Sequence, residues 1–140
     1  MLESEFQKLV LQAFKNDPEI LLWRRNVGAH KTDDGRFLKF GQKGQSDLEG
    51  IVKQYRCRTC NGLQSGVHME IELKTGKNKP TEAQIEWLNT VADYNAIAMV
   101  LYPEETDPIG LRDRIINTIY RIQCPVCYRK TSVLNLTKKH

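Results

Sequence analysis

At 140 residues the chain has material for one domain with a single core, and 40% hydrophobic with 27% charged residues is an ordinary globular composition. Its formal charge of +4, from 21 Lys and Arg against 17 Asp and Glu, is compatible with a polyanionic partner without requiring one. No apolar run reaches membrane-spanning length and "MLESEFQK" is acidic and amphipathic rather than leader-like, so the reading is a cytoplasmic protein. In that compartment its four cysteines are expected as metal ligands or thiols, not disulfides.

The stretch "SEFQKLVLQAFKND" predicts a first helix. Ser4 and Gln7 have capping-box spacing, and Phe6, Leu9, Val10, Ala13 and Phe14 form one apolar stripe. Advancing about 100° per residue, Glu3 falls on the inward edge of that stripe and Glu5 points away. An inward carboxylate needs a partner or a metal. "EILLWRRNV" predicts a strand, "GAHKTDDGR" a loop, "FLKF" a short strand and "GQKGQ" a turn ending at Ser46-Asp47. "DLEGIVKQY" reads as a strand, "CRTCNGLQSG" as an inserted loop and "VHMEIELKTG" as the next strand.

Pro80 and Thr81 open a second helix through Tyr94, with Ile85, Leu88 and Ala92 inward. "AIAMVLY" is a continuous apolar run of strand length, which predicts a buried central or parallel strand. Asp107 and Pro108 are a suitable N-cap and first-turn pair for a third helix ending near Tyr120. The principal order α-β-β-β-α-β-α predicts one α/β domain over 1–140, a mixed sheet with helices packed on it.

Within "MEIELKTG", strand alternation puts Met69, Ile71 and Leu73 on one face and Glu70, Glu72 and Lys74 on the other, Glu72 and Lys74 being ~7 Å apart. Such a face is either a solvated one with a cross-strand ion pair or part of a site. Asp47 begins the preceding strand, so Asp47 and Glu72 can converge on one hard divalent cation, which prefers oxygen ligands, with the Lys74 ammonium on the same face.

Asp, then Glu-x-Lys on the following strand, with a glutamate in a preceding helix, resembles the PD-(D/E)xK nuclease superfamily. More narrowly, "ESEFQ", "LLWRRNVGAH", "FGQKGQSDLEGIV", "IELKTGKNKPTEAQIEWL" and "AMVLY" are similar in order and spacing to the virus-type replication-repair nuclease (VRR-NUC) family, over residues 2–102. The resemblance implies a restriction-endonuclease-like core and selects Glu72, two before the lysine, over Glu70. It implies that Asp47, Glu72 and the Leu73 carbonyl hold Mg²⁺ or Mn²⁺, that Lys74 orients the attacking water, and that Glu3 completes the metal site. Gln84 matches the family's glutamine, although Thr81-x-x-Gln84 is also a capping box. Ser46 stands where many relatives have proline.

Cys57-x-x-Cys60 and Cys124-x-x-Cys127 have the spacing of two zinc knuckles, which together close a tetrahedral Cys₄ site. A structural Zn²⁺ there predicts a small knuckle subdomain, about 54–66 with 121–131, stapling the insertion to the C-terminal tail. Closed Cys₄ coordination leaves no position for substrate, so zinc is not expected to be the catalytic metal. Arg24, Arg25, His30, Lys31, Lys39, Lys43, Lys77 and Lys79 cluster in loops flanking Asp47 and Lys74, as phosphate binding requires and as a solvated surface also explains. The expectation is a Mg²⁺-dependent DNA endonuclease; the resemblance implies a homodimer resolving branched DNA such as Holliday junctions, and a phage or prophage origin. A flap or restriction-like nuclease and a non-catalytic zinc-ribbon module binding nucleic acid are the alternatives.

Overall fold

The computed structural model describes residues 1–25, 28–40, 44–103, 110–121 and 134–135, with backbone only for 28–30, 37–40 and 134–135. The elements in chain order are α1 (Glu3–Ala13), β1 (Ile20–Arg24), β2 (Gly28–Lys31), β3 (Phe37–Phe40), β4 (Leu48–Arg56), β5 (Leu63–Leu73), α2 (Glu82–Asp93), β6 (Ile97–Leu101), α3 (Gly110–Arg121) and β7 (Leu134–Asn135). Strands β1-β4-β5-β6-β7 form one mixed sheet, antiparallel from β1 to β5 and parallel from β5 to β7, while β2 and β3 form a separate antiparallel pair. No helix among the described residues is long and apolar enough to cross a membrane.

Two apolar layers hold the sheet. On one face Phe6 and Val10 of α1, Phe14 at its C-terminal cap and Leu111, Ile115 and Ile119 of α3 pack with Ile20, Leu48, Met69, Ile71, Leu73, Met99 and Leu101. On the other face Leu88, Val91 and Ala92 of α2 pack with Ala98, Val100 and Tyr102. Strand β6 contributes to both layers, which is why its sequence is apolar without alternation. Between them β5, α2 and β6 make a parallel crossover, so α2 runs back along the strand that precedes it.

Several expectations are corrected. Helix α1 begins one residue earlier than Ser4, with Leu2 as N-cap, and the Glu5 carboxylate, not Gln7, accepts from a cap amide (Leu2 N, 3.2 Å). The predicted loop at Gly28–Lys31 is a strand because the Asp33-Asp34-Gly35 turn folds it onto β3; Thr32 N donates to the Arg36 carbonyl at 2.7 Å. The inserted loop is shorter than expected: Leu63, Gln64 and Ser65 already pair with Arg56, Tyr55 and Gln54. Only 57–62 forms the turn, closed by Cys57 N to Gly62 O at 3.0 Å and Asn61 N to Cys57 O at 2.9 Å. Leu88 and Ala92 face inward as their spacing requires, but Ile85 is 43% exposed, because Gln84 and Trp87 are the residues that α2 turns toward β5. The expected N-cap pair Asp107-Pro108 lies outside the described residues.

Candidate metal centre

The charged face of β5 is not solvated: Glu70 and Glu72 are each 2% exposed. Each lies on the sheet face toward α2, and their surroundings differ sharply. The ladder pairs Leu48 with Ile71, so one step further Asp47 stands opposite Glu72 on the same face. Asp47 is fixed there by its own backbone and side chain. Its carbonyl accepts from Arg25 N at 2.9 Å, and its Oδ2 accepts from Leu73 N at 2.8 Å. The turn before Asp47 rests on the first turn of α2 at Gly44, where φ is +83° and a Cβ would lie 2.3 Å from the Ala83 carbonyl oxygen; only glycine fits.

Helix α1 brings the third carboxylate. Ligand oxygens of Glu3, Asp47 and Glu72 lie within 4.8 Å of one another, and they are the single such group of potential metal ligands among the described residues. Glu5 is turned away, occupied with the Leu2 amide. Gln84, at the third position of α2, donates from Nε2 to Glu72 Oε1 at 2.9 Å while its Oε1 accepts from Thr81 N at 2.8 Å. It is thus both a helix cap and a neighbour of the cluster. Lys74 Nζ lies 3.6 Å from Glu72 Oε1, its side chain 12% exposed. The first turns of α1 and α2 both point at this end of β5, and their positive ends offset part of the negative charge.

The electrostatics remain unbalanced. Glu72 is pushed up to about 8, first by burial, then by the Asp47 carboxylate and more weakly by Glu3, with Lys74 opposing. Among the described residues its Oε2 is buried without a hydrogen-bond partner, as is the Ser46 hydroxyl beside Asp47. A shared proton or a cation relieves such a cluster. Three convergent carboxylates with an orphaned buried oxygen and no sulfur or nitrogen donor fit a hard divalent cation. The group that Leu73 presents to Asp47 is its amide; its side chain is buried in the core.

The basic residues divide. Arg24, Lys31, Lys77 and Lys79 are exposed. Arg25 is engaged within the fold, its guanidinium paired with Glu49 and Nη1 3.3 Å from Glu70 Oε1. His30 and Lys39 lie on β2 and β3 with only their backbone described, and Lys43 lies outside the described residues. Of the cysteines, Cys57 and Cys60 occupy the β4–β5 turn, and Cys124 and Cys127 lie outside the described residues. Cys57 Sγ accepts from Thr59 N at 3.3 Å and Cys60 N at 3.5 Å, and Cys60 Sγ from Gly62 N at 3.4 Å.

Sequence reasoning missed the neighbours of Glu70. Trp87 Nε1 donates to its Oε1 at 2.7 Å, His68 Nε2 lies 3.1 Å from its Oε2, and Trp23 Nε1 donates to Glu49 Oε1 at 2.8 Å. The available signals were the shared strand face of Glu70 and Glu72 and the position of Trp87 one helical turn beyond Gln84. No family model matches this chain, and no curated protein matches it significantly.

Proposed function

We propose that the chain is a metal-dependent endonuclease that hydrolyses DNA phosphodiester bonds, built on a restriction-endonuclease-like core of the VRR-NUC kind. The observation that carries this reading is the convergence of Glu3, Asp47 and Glu72, with Lys74 beside Glu72 and a buried carboxylate oxygen without a hydrogen-bond partner among the described residues. Glu3, Asp47 and Glu72 would hold Mg²⁺ or Mn²⁺. The cation would supply Lewis acidity and lower the pKa of a bound water.

The protein's own groups account for the remainder of the reaction. The Lys74 ammonium orients the attacking water and offsets charge that grows on the phosphate oxygens. Gln84 holds Glu72 Oε1 and so restricts the carboxylate to one rotamer. Asp47 is held through Leu73 N and Arg25 N, which leaves its position little freedom at the end of β5. Water oxygen adds to phosphorus and releases a proton to solvent, the bond to one sugar oxygen breaks, and that oxygen takes up a proton from solvent. Exposed Arg24, Lys31, Lys77 and Lys79 supply cations for the flanking phosphates.

The second metal in this reading is structural zinc on Cys57, Cys60, Cys124 and Cys127. Tyr120, four residues before Cys124, stacks edge-on against Tyr55 with ring centroids 6.2 Å apart, and Arg58 lies 4.6 Å from its ring centroid. Four residues of chain span at most ~14 Å, enough to return to a turn already touching Tyr120. Elemental analysis should find one zinc per chain, and Cys57→Ser should lower stability before it lowers turnover.

Branched DNA is the preferred substrate, because two symmetric scissile phosphates suit a homodimer with two identical sites. Plasmid nicking with Mg²⁺, Mn²⁺ or chelator, with Asp47→Ala alongside, tests the activity. A panel of duplex, flap and four-way junction then ranks substrates. Metal-independent binding of all three without cutting would instead identify a zinc-ribbon binding module.

A further inference from the structure

The acidic cluster is supported from behind by a second set of side chains that no step of the reaction uses. Glu70 is buried and accepts from Trp87 Nε1 at 2.7 Å; Arg25 Nη1 lies 3.3 Å from the same oxygen as an ion pair rather than an aligned hydrogen bond. The other end of the Arg25 guanidinium pairs with Glu49, which Trp23 also holds, and the guanidinium carbon lies 6.0 Å from the Trp87 ring centroid. Arg25 therefore touches β4, β5 and α2 at once, with only 11% of its side chain exposed. Its backbone amide, in addition, holds the Asp47 carbonyl.

The spacing of these contacts sets a register. Helix α2 meets β5 through two polar rungs, Gln84 to Glu72 and Trp87 to Glu70. Three residues of helix advance about 4.5 Å and two residues of strand about 6.6 Å, so the pair of rungs fits only one alignment of the antiparallel helix and strand. A slide of α2 that spared Gln84 would still break Trp87. A tilt that spared Trp87 would move Gln84 off Glu72. Two of the three metal-facing carboxylates are thereby coupled to Arg25, Asp47 through the backbone and Glu72 through Glu70 and α2.

We propose that Arg25, Glu70 and Trp87 form a positioning network that sets the geometry of the metal-binding carboxylates, and that Arg25 is committed to this network instead of to DNA phosphate. The inference rests on the metal-site reading. Supporting partners behind metal ligands commonly change metal affinity or activity by about 10–100-fold when removed, so the effect is measurable.

The test uses the whole chain, with Trp87→Phe, which keeps a ring and deletes the N–H, and Arg25→Lys, which keeps the charge and loses the fork. Mn²⁺ affinity is read from the metal-induced rise in melting temperature, and nicking is followed against both Mn²⁺ and DNA concentration. Each variant should melt cooperatively without metal, need about tenfold more Mn²⁺ for half-saturation, and recover most of its kcat at high Mn²⁺ with KM for DNA unchanged. Wild-type Mn²⁺ affinity in both variants would overturn the proposal. So would a raised KM for Arg25→Lys with unaltered metal dependence, which would make Arg25 a phosphate contact. The melting measurement needs no cleavage, so a wild-type protein that binds Mn²⁺ without cutting DNA ends the nuclease reading alone.

Discussion

Glu70 and Glu72 stand two residues apart on one strand, face the same way and are equally buried, yet their surroundings are opposite. Glu70 is met by an indole N–H, a guanidinium and an imidazole. Glu72 is met by one amide and one ammonium, and by two more carboxylates. A buried charge survives in a fold either because partners satisfy it or because something outside the chain does. Glu70 is the first case, and we read Glu72 as the second. Burial alone would have made them equivalent; the identity of the neighbours separates structure from chemistry.

The largest expected effect breaks the comparison on the side of activity. Asp47→Asn, Glu72→Gln and Glu3→Gln should each lower cleavage by about a thousandfold or more, as loss of a metal ligand or of charge stabilisation does. DNA binding should hold or tighten, because each change removes an anion that repels phosphate. Lys74→Ala should lose activity that extra Mg²⁺ does not restore. Full turnover in any one variant on the plasmid assay removes that residue from the site.

Stability should respond in the reverse order. Glu70→Ala leaves the Arg25 guanidinium buried with Glu49 alone and strips the Trp87 N–H of its acceptor, a loss expected to cost ~3–5 kcal/mol. Glu72→Gln without metal should be neutral or stabilising at neutral pH, since it replaces a carboxyl crowded by Asp47 and Glu3. Urea unfolding of the two variants in chelator measures the contrast. Equal destabilisation would show that Glu72 is as structural as Glu70.

The same contrast has a pH signature. Folded Glu72 titrates at about 8 against an ordinary value of 4.5, first because it is buried and then because Asp47 faces it. The folded protein thus binds this proton more tightly than the unfolded chain does. Its contribution to stability is complete below 4.5 and is lost as pH rises toward 8, at up to about 1.4 kcal/mol per pH unit within that window. Melting in chelator should therefore fall between pH 5 and 8, and Mn²⁺ should reverse the fall by supplying the missing positive charge. Glu72→Gln should flatten this pH dependence. A wild-type slope surviving in Glu72→Gln would assign the titration to another group.

Much of this site was legible in the sequence because its members follow simple periods. Alternation put Glu72 and Lys74 on one face, helical advance separated Glu3 from Glu5, and the apolar run of β6 announced a strand buried on both sides. The remainder depended on what covers a face, which a period does not specify. By alternation alone Glu70 is equivalent to Glu72, and no period announces that Trp87, Arg25 and Glu49, distant in the chain, close around it. Ile85 looked inward because apolar residues at helical spacing usually are, but Gln84 and Trp87 take the side of α2 toward β5 and leave Ile85 at its flank. Strand β2 escaped notice because "GAHK" has weak strand character and pairs only once the Asp33-Asp34-Gly35 turn brings β3 alongside.

The smallest expected effect comes from Glu5, and it sharpens the comparison by carrying it onto the first helix. Glu3 and Glu5 are both exposed, both in the first turn of α1 and both favoured by the positive end of the helix. Only Glu3 reaches Asp47 and Glu72; Glu5 reaches back 3.2 Å to the Leu2 amide. Glu5→Gln keeps an oxygen that can accept from Leu2 N but loses the charge, so it should cost only about 0.3–1 kcal/mol and leave cleavage near the wild-type rate. Glu3→Gln loses a similar helix-end interaction, hence a similar small change in melting temperature, together with its place in the cluster. Paired measurement of melting and nicking thus gives two variants with matched stability and widely different rates. If the rates match as well, α1 contributes no ligand and the centre reduces to Asp47 and Glu72. If Glu5→Gln is the inactive variant, α1 in solution is rotated so that Glu5 replaces Glu3 beside the other two carboxylates.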